Sequence, residues 1–117
     1  ITSVKGSRRA DHFHKTGDHL CLLVAGKLVY SWRPHGSEAF PESLTIEPGT
    51  FFYSPAMVEH SMEFLEDSVF LAFDSKVART PEGYDADIVK LEKPLTPPSQ
   101  TIIPPAVPES FAAEKAV

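Results

Sequence analysis

The stretch GSRRADHFHKTGDHLCLLVAG, residues 6–26, holds three of the chain's five histidines between two glycines. Side chains two positions apart in a strand point to the same side, so His12 and His14 present two imidazoles to one space. His19 follows a predicted turn and can supply a third imidazole from the start of the neighbouring strand. The stretch therefore predicts two strands that bring several ring nitrogens together.

Short apolar runs rich in β-branched and aromatic residues predict strands along most of the chain. The segment HLCLLVAGKLVYSW, residues 19–32, holds two such runs separated by Ala25-Gly26, which predicts a hairpin. No window longer than about ten residues shows an apolar period of 3.6, so we expect little helix. Further strands are predicted at 43–47, 50–54, 58–65, 67–75 and 87–91. Many short strands separated by turn signals are typical of an antiparallel β-sandwich or barrel.

The composition changes at Pro94. The segment PLTPPSQTIIPPAVPES begins there and is too rich in proline for a helix or an inner strand. We therefore predict two parts, a β-barrel domain over residues 1–93 and an extended Pro-rich C-terminal tail over residues 94–117.

The overall composition limits the function classes. The chain has 117 residues and a net charge of −5, and its longest basic run is Arg8-Arg9, so we expect no nucleic-acid partner. No apolar run reaches the roughly 18 residues that span a bilayer, so we expect no membrane partner. The single cysteine, Cys21, excludes an internal disulfide framework and is typical of a reducing compartment, which predicts a cytoplasmic protein.

A fourth histidine, His60, lies in a separate predicted strand after a turn that contains proline. Neutral imidazoles converging from different strands form a nitrogen-rich site suited to Fe, Mn, Zn, Ni or Cu, whereas Ca and Mg prefer oxygen ligands. We predict that His12, His14, His19 and His60 bind one divalent transition metal ion. The alternative is a metal-free polar pocket.

The spacing of these residues resembles the cupin superfamily. Its two motifs are G(X)5HXH(X)3,4E(X)6G and G(X)5PXG(X)2H(X)3N. The positions that match, with the spacing kept, are Gly6, His12, His14, Gly26, Gly49, Pro55 and His60. The resemblance implies an all-β fold, the double-stranded β-helix or jelly-roll barrel, of the small single-domain type that binds metal in the barrel mouth.

Three positions depart from the cupin pattern. His19 replaces the usual glutamate, and the adjacent Asp18 fits the shorter spacing and is a fallback ligand. Met57 replaces a glycine in a turn, which costs little unless that position needs positive φ. Phe64 replaces the asparagine of the second motif.

Cupins include many kinds of enzyme and also binding modules, so the fold alone does not choose a function. Our leading hypothesis is a metal-dependent enzyme acting on a small organic molecule by oxygenase or Lewis-acid chemistry. We predict that Arg9, Met62 and Phe64 contribute to its substrate pocket.

Two other functions follow from the same resemblance. One is a carbohydrate or nucleotide-sugar isomerase or epimerase, in which His14 and Tyr53 act as base and acid. The other is a non-catalytic module that binds a small ligand. We also predict a homodimer, because pairing covers open edge strands and the tail offers Ile102, Ile103 and Val107 to a partner subunit.

Overall fold

The computed structural model describes residues 1–75, 82 and 86–96. The tail prediction for residues 97–117, including Ile102, Ile103 and Val107, lies outside the described residues. These residues contain nine strands: β1 (Thr2–Ser3), β2 (Arg8–His14), β3 (Asp18–Ala25), β4 (Leu28–Pro34), β5 (Glu42–Ile46), β6 (Phe51–Ser54), β7 (Val58–Phe64), β8 (Ser68–Ser75) and β9 (Ile88–Lys90). The predicted strands are therefore present to within a residue or two at their ends.

The strands form two antiparallel sheets. Sheet A is four-stranded in the order β1-β8-β3-β6, and sheet B is five-stranded in the order β5-β4-β7-β2-β9. The chain passes repeatedly from one sheet to the other, as it does in a jelly roll. The predicted all-β barrel is confirmed. No helix among the described residues is long and apolar enough to cross a membrane.

The predicted hairpin at Ala25-Gly26 is wrong. β3 pairs with β6 and β8 in sheet A, whereas β4 pairs with β5 and β7 in sheet B. Gly26 is instead the point at which the chain crosses between the sheets. It has φ +97°, and a Cβ at this position would lie 2.1 Å from Ser68 Oγ and 2.7 Å from Ser68 Cα. Only glycine fits this close approach.

A β-bulge interrupts β2 just before the histidine pair. Ala10 pairs with Ser61 and His12 pairs with His60, so Asp11 is the extra residue. Ala10 and Asp11 both have positive φ, 69° and 52° respectively, which is uncommon for residues other than glycine. The bulge therefore shifts every side chain that follows it by one position.

This shift determines which residues of β2 face the barrel interior. Arg9 lies opposite Met62, and His12 lies opposite His60. Both side chains line the interior cavity although they are three positions apart, which regular alternation does not allow. Without the bulge, Asp11 would occupy the place of His12.

The barrel interior beside and beyond the histidines is filled by apolar side chains. The buried cluster consists of Cys21, Leu23, Leu28, Tyr30, Ile46, Phe52, Met62, Phe64 and Phe70. Phe64 is fully buried, its ring stacks on Phe70 at 5.8 Å, and it does not line the cavity, so its assignment to the substrate pocket is wrong. β7 runs from the mouth to the closed end, and Phe64 lies four residues, roughly 13 Å, deeper than His60.

The segment after β9 packs on the outer side of β2. The backbone N–H groups of Leu91 and Leu95 donate to the Asp11 carbonyl and carboxylate at 2.9 and 3.0 Å. The Arg8 guanidinium bonds the same carboxylate at 2.9 Å, and Leu95 and Thr96 are buried. The bulge residue thus anchors the end of the described chain.

Candidate functional site

Three histidines meet at the open end of the barrel. His12 and His14 come from β2 in sheet B, and His60 comes from the neighbouring strand β7. Their candidate ligand atoms all lie within 4.8 Å of one another. The ring centroid of His12 lies 4.8 Å from that of His14 and 4.8 Å from that of His60. The structure therefore brings together the three motif histidines that the sequence singled out.

The environment keeps two of these imidazoles neutral. Burial, followed by repulsion from the surrounding histidines, lowers the pKa of His12 to about 3. Burial also lowers the pKa of His60 to about 4, although a hydrogen bond to the Val58 carbonyl opposes this shift. A neutral imidazole keeps a ring nitrogen lone pair for a metal or for a proton.

A buried carboxylate orients the third imidazole. His14 is almost completely buried, and its Nδ1 lies 3.1 Å from Asp87 Oδ2. Asp87 also accepts the Thr16 N–H and hydroxyl, at 2.9 and 2.7 Å, and the Gly17 N–H, at 3.0 Å. Burial alone would raise the pKa of Asp87, but these hydrogen bonds outweigh it and lower the pKa to about 2.

Because Asp87 is ionised, it can only accept, so Nδ1 of His14 carries the proton and donates it to the carboxylate. The Nε2 atom of His14 then keeps the lone pair. Histidines that bind metals in proteins almost always have such a partner on their other nitrogen.

His19 is buried beside this pair. It comes from β3 in sheet A, and its Nε2 lies 3.2 Å from Nδ1 of His14. His19 lines the same cavity, although it is not part of the compact group formed by the other three. The adjacent Asp18 points to the other side of β3, where it accepts a hydrogen bond from Tyr53 at 2.5 Å.

The histidines open into a cavity of about 420 Å³. Arg9, Met62, Phe52 and Ser54 line this cavity. The Arg9 guanidinium donates to Ser3 Oγ at 2.6 Å and to the Thr2 carbonyl at 3.2 Å. No carboxylate among the described residues pairs with Arg9, so it adds a positive charge to a cavity lined by imidazoles and apolar groups.

Tyr53 does not lie where a catalytic acid in this cavity would have to be. In the register of β3 and β6, His19 faces Ser54 and Leu20 faces Tyr53. His19 and Ser54 point inward, so Tyr53 points outward, and it is 53% exposed. The structure therefore places Tyr53 outside this cavity, along a separate groove that Trp32 and Leu44 also line. The direction of its side chain is set by the pairing of β6 with β3.

Sequence reasoning missed the two polar residues that support the site. The sequence places Asp87 at the start of the predicted strand 87–91 and assigns it no role in the site, although an acidic residue at the end of a strand is a usable signal. Ser54 is buried and bonds the Tyr30 hydroxyl at 2.7 Å, which holds Tyr30 within 6.1 Å of His60, measured between ring centroids. No local pattern marks Ser54.

No protein-family model and no curated protein sequence matches the chain. Solved structures do match. The capsular polysaccharide assembling protein CapF from Staphylococcus aureus superposes with a TM-score of 0.67 at 22% identity, covering 80% of this chain and 27% of that one. The chain thus spans only about a quarter of the length of CapF.

Two further structures are similar. The 3,4-ketoisomerase QdtA from Thermoanaerobacterium thermosaccharolyticum, in complex with TDP-4-keto-6-deoxyglucose, superposes with a TM-score of 0.62 at 19% identity, covering 78% of this chain and 62% of that one. The Drosophila melanogaster CENP-C cupin domain gives a TM-score of 0.57 at 14% identity, covering 63% and 53%. With its two antiparallel sheets and these likenesses, the chain has the cupin fold.

Proposed function

We propose that this chain is a metal-dependent cupin enzyme that acts on a small polar molecule. In this proposal His12, His14 and His60 hold one divalent transition metal ion at the barrel mouth, and His19 is the candidate fourth ligand. The observation that carries the proposal is the approach of the three imidazoles, whose candidate ligand atoms lie within 4.8 Å of one another.

The donor set fits such an ion. All the candidate ligand atoms are imidazole nitrogens, which suit Fe, Mn, Zn, Ni and Cu. The lowered pKa values of His12 and His60 mean that no proton competes for these nitrogens near neutral pH. The hydrogen bond from His14 to Asp87 fixes the tautomer in which Nε2 is available as a ligand atom.

The other residues that line the cavity suggest which chemical groups the substrate carries. A bound ion of this kind supplies a Lewis acid or a redox centre. Arg9 offers a guanidinium for a carboxylate or phosphate, and Ser3 and the Thr2 carbonyl hold it in place. Met62 and Phe52 form an apolar wall that excludes water from the substrate. The single cysteine, Cys21, is buried, and a chain with one cysteine suits a reducing compartment such as the cytoplasm.

Metal analysis tests this proposal. Protein purified without added metal, or reconstituted with Fe, Mn, Ni, Cu or Zn, should carry close to one ion per chain. His60→Ala should lower the occupancy sharply. His35→Ala is the matched control, because His35 pairs with Glu59 outside the cavity and should leave occupancy unchanged. Absence of metal after reconstitution of the folded protein would sink the proposal.

A second candidate function is isomerisation or epimerisation of a nucleotide-linked sugar. The specific observation in its favour is the His14–Asp87 pair, since a carboxylate on Nδ1 raises the basicity of Nε2. The likeness to the 3,4-ketoisomerase QdtA, whose structure holds TDP-4-keto-6-deoxyglucose, supports the same substrate class. Against it stands the placement of the tyrosines: of the described ones, Tyr53 points outward and Tyr30 is buried against Ser54.

Hydrogen exchange at carbon separates the two candidates. The chain would be incubated with TDP-4-keto-6-deoxyglucose in D₂O, with and without a chelator, and deuterium uptake followed by NMR. Uptake that persists without metal and is lost in His14→Gln favours the isomerase. A chain that binds a ligand in the cavity but turns over no substrate in either form would instead favour the non-catalytic module.

A further inference from the structure

A groove runs along the side of the barrel where the last strands of the two sheets lie. β5 ends sheet B and β6 ends sheet A, and no described strand pairs with the outer edge of either. Large side chains from these two strands, from β4 and from the β6–β7 turn line a groove of about 520 Å³, which we call the edge groove: Tyr30, Trp32, Leu44, Phe51, Tyr53 and Pro55. Native proteins normally cover or block such open edges.

The edge groove is aromatic and uncharged. The Tyr30 and Trp32 rings stack with their centroids 5.6 Å apart and their planes 22° apart. Trp32 and Leu44 pack against the core but are only partly buried. No Asp, Glu, Lys or Arg is among the described residues that line the groove. Grooves lined by aromatic side chains are a recurring binding site for proline-rich segments in extended conformation.

We propose that the edge groove is the docking site of the chain's own C-terminal tail, with the segment IIPPAVP, residues 102–108, as its occupant. No charged residue occurs between positions 94 and 108, although 23% of the chain is charged. Ile102, Ile103 and Val107 supply branched apolar side chains. The three prolines have no backbone N–H, so they leave no donor unpaired inside an apolar groove.

The chain between the barrel and this segment has the length that docking requires. The described chain ends at Thr96, whose hydroxyl lies 3.5 Å from the Arg8 guanidinium. The register across sheet B runs in one line from Arg8 through Glu63 and Val29 to Thr45 on β5. Three strand spacings make this path roughly 14 Å. Residues 97–101 span roughly 15 Å in the polyproline II conformation. Ile102 can therefore reach the side chains next to Thr45.

The groove and the segment also match in length. Leu44 and Ile46, on either side of Thr45, line the end of the groove that Ile102 reaches, and Val58 lines the other end. Ile46 pairs with Leu28, and Val58 pairs with Pro34. Those two partners lie six positions apart in β4, which corresponds to roughly 20 Å. The seven residues 102–108 span roughly 22 Å in the polyproline II conformation.

Tethering selects the chain's own tail over other occupants. A segment joined to the barrel by a linker that spans the required distance has an effective concentration of the order of millimolar. A second copy, or a proline-rich segment of another protein, has no such advantage at micromolar concentration. The groove lies apart from the three clustered histidines, so the proposal does not depend on the metal chemistry proposed above.

Trp32 is the chain's single tryptophan, so its fluorescence reports on the edge groove. Acrylamide quenching of the full chain should show a shielded indole. Ile102→Ser combined with Ile103→Ser should increase the quenching constant by roughly twofold or more, because the tethered segment then no longer fills the groove. Ala112→Ser combined with Ala113→Ser is the matched control in the same tail and should leave quenching unchanged. All three proteins should have the same circular dichroism spectrum.

A second measurement identifies the occupant directly. Proton NMR of the full chain should show nuclear Overhauser effects between the Trp32 indole and the methyl groups of Ile102 or Ile103. A mixture of isotopically labelled and unlabelled copies shows whether these contacts lie within one chain, as the proposal requires.

Three outcomes would overturn the proposal. Quenching that is the same in the full chain and in the double isoleucine variant would mean that the tail does not cover Trp32. Contacts found only between differently labelled copies would make a second copy the occupant. If the full chain shows no such contacts, but a separate peptide of sequence QTIIPPAVP shields Trp32, the groove serves a proline-rich partner instead.

Discussion

Asp87 Oδ2 lies 3.1 Å from Nδ1 of His14, although 73 positions separate the two residues in the chain. Asp87 ends the segment that leads into β9, and β9 pairs with β2 so that His14 faces Ile88. The pairing of the barrel's last described strand therefore brings a carboxylate to the buried side of the histidine. The orientation of the His14 imidazole therefore depends on a carboxylate that lies far away in the sequence.

Replacing Asp87 with asparagine should weaken metal binding. The amide cannot hold the protonated Nδ1 of His14 as the carboxylate does, and such second partners typically change affinity by roughly 10–100-fold. Titration with Ni(II) or Zn(II) against a competing chelator measures the effect. Asp18→Asn changes an equivalent carboxylate on the outer side of β3 and should leave the affinity unchanged. Equal losses in both variants would contradict the role assigned to Asp87.

The metal-free protein should lose stability as the pH falls from about 6.5 to about 4. In the folded chain the pKa of His12 is lowered to about 3 and that of His60 to about 4, while in the unfolded chain both have ordinary values near 6.5. Below pH 6.5 the unfolded state therefore binds more protons, and acid favours it.

Asp87 adds a further loss of stability between about pH 4 and pH 2, because its pKa is lowered from 3.8 to about 2 in the folded chain. Urea unfolding at a series of pH values measures the slope. His60→Asn should make the slope between pH 6.5 and 4 shallower, with His12 supplying the remainder. Asp87→Asn should lower the stability at every pH above about 4 and remove the further loss between about pH 4 and 2. A wild-type profile that is level from pH 6.5 to 4 would count against buried neutral imidazoles.

Gly26→Ala should destabilise the barrel by about 2–4 kcal/mol, since its Cβ would overlap the backbone and side chain of Ser68. Gly6→Ala is the matched control. Gly6 also has positive φ, +86°, but a Cβ there meets nothing within 4 Å. It should cost only about 1 kcal/mol, the strain of the left-handed conformation. Chemical unfolding measures the free energy of unfolding of both variants. Equal losses in the two variants would show that steric overlap at the sheet crossover is unimportant.

Met57→Gly should raise the melting temperature by a few degrees. Met57 stands where the cupin motif has glycine, and its φ of 62° shows that the turn does need a left-handed residue. Its side chain is largely exposed, so removing it loses little packing and relieves about 1 kcal/mol of backbone strain. Calorimetry of the two proteins measures the difference. A lower melting temperature would mean that the Met57 side chain contributes packing that outweighs the strain.

The sequence by itself determined the kind of fold and pointed to the histidines of the candidate site. Alternating apolar runs and turn residues are local signals, and they placed the strands because side-chain direction in a strand repeats every two residues. The spacing of Gly6, His12, His14 and His60 resembles the cupin motifs, and that resemblance implied the barrel and the three imidazoles that meet in it. Met62 lies on the same side of β7 as His60, because the two residues are two positions apart in one strand.

Only the tertiary structure decided which sheet each strand joins and which side of the sheet it presents. The bulge at Asp11 turns His12 inward, and pairing with β3 turns Tyr53 outward. Phe64 belongs to the core because it lies at the far end of β7 from His60. The pairing of β9 with β2 brings the Asp87 carboxylate next to the His14 imidazole. These outcomes depend on contacts between segments far apart in the chain, which a periodicity of two residues does not encode.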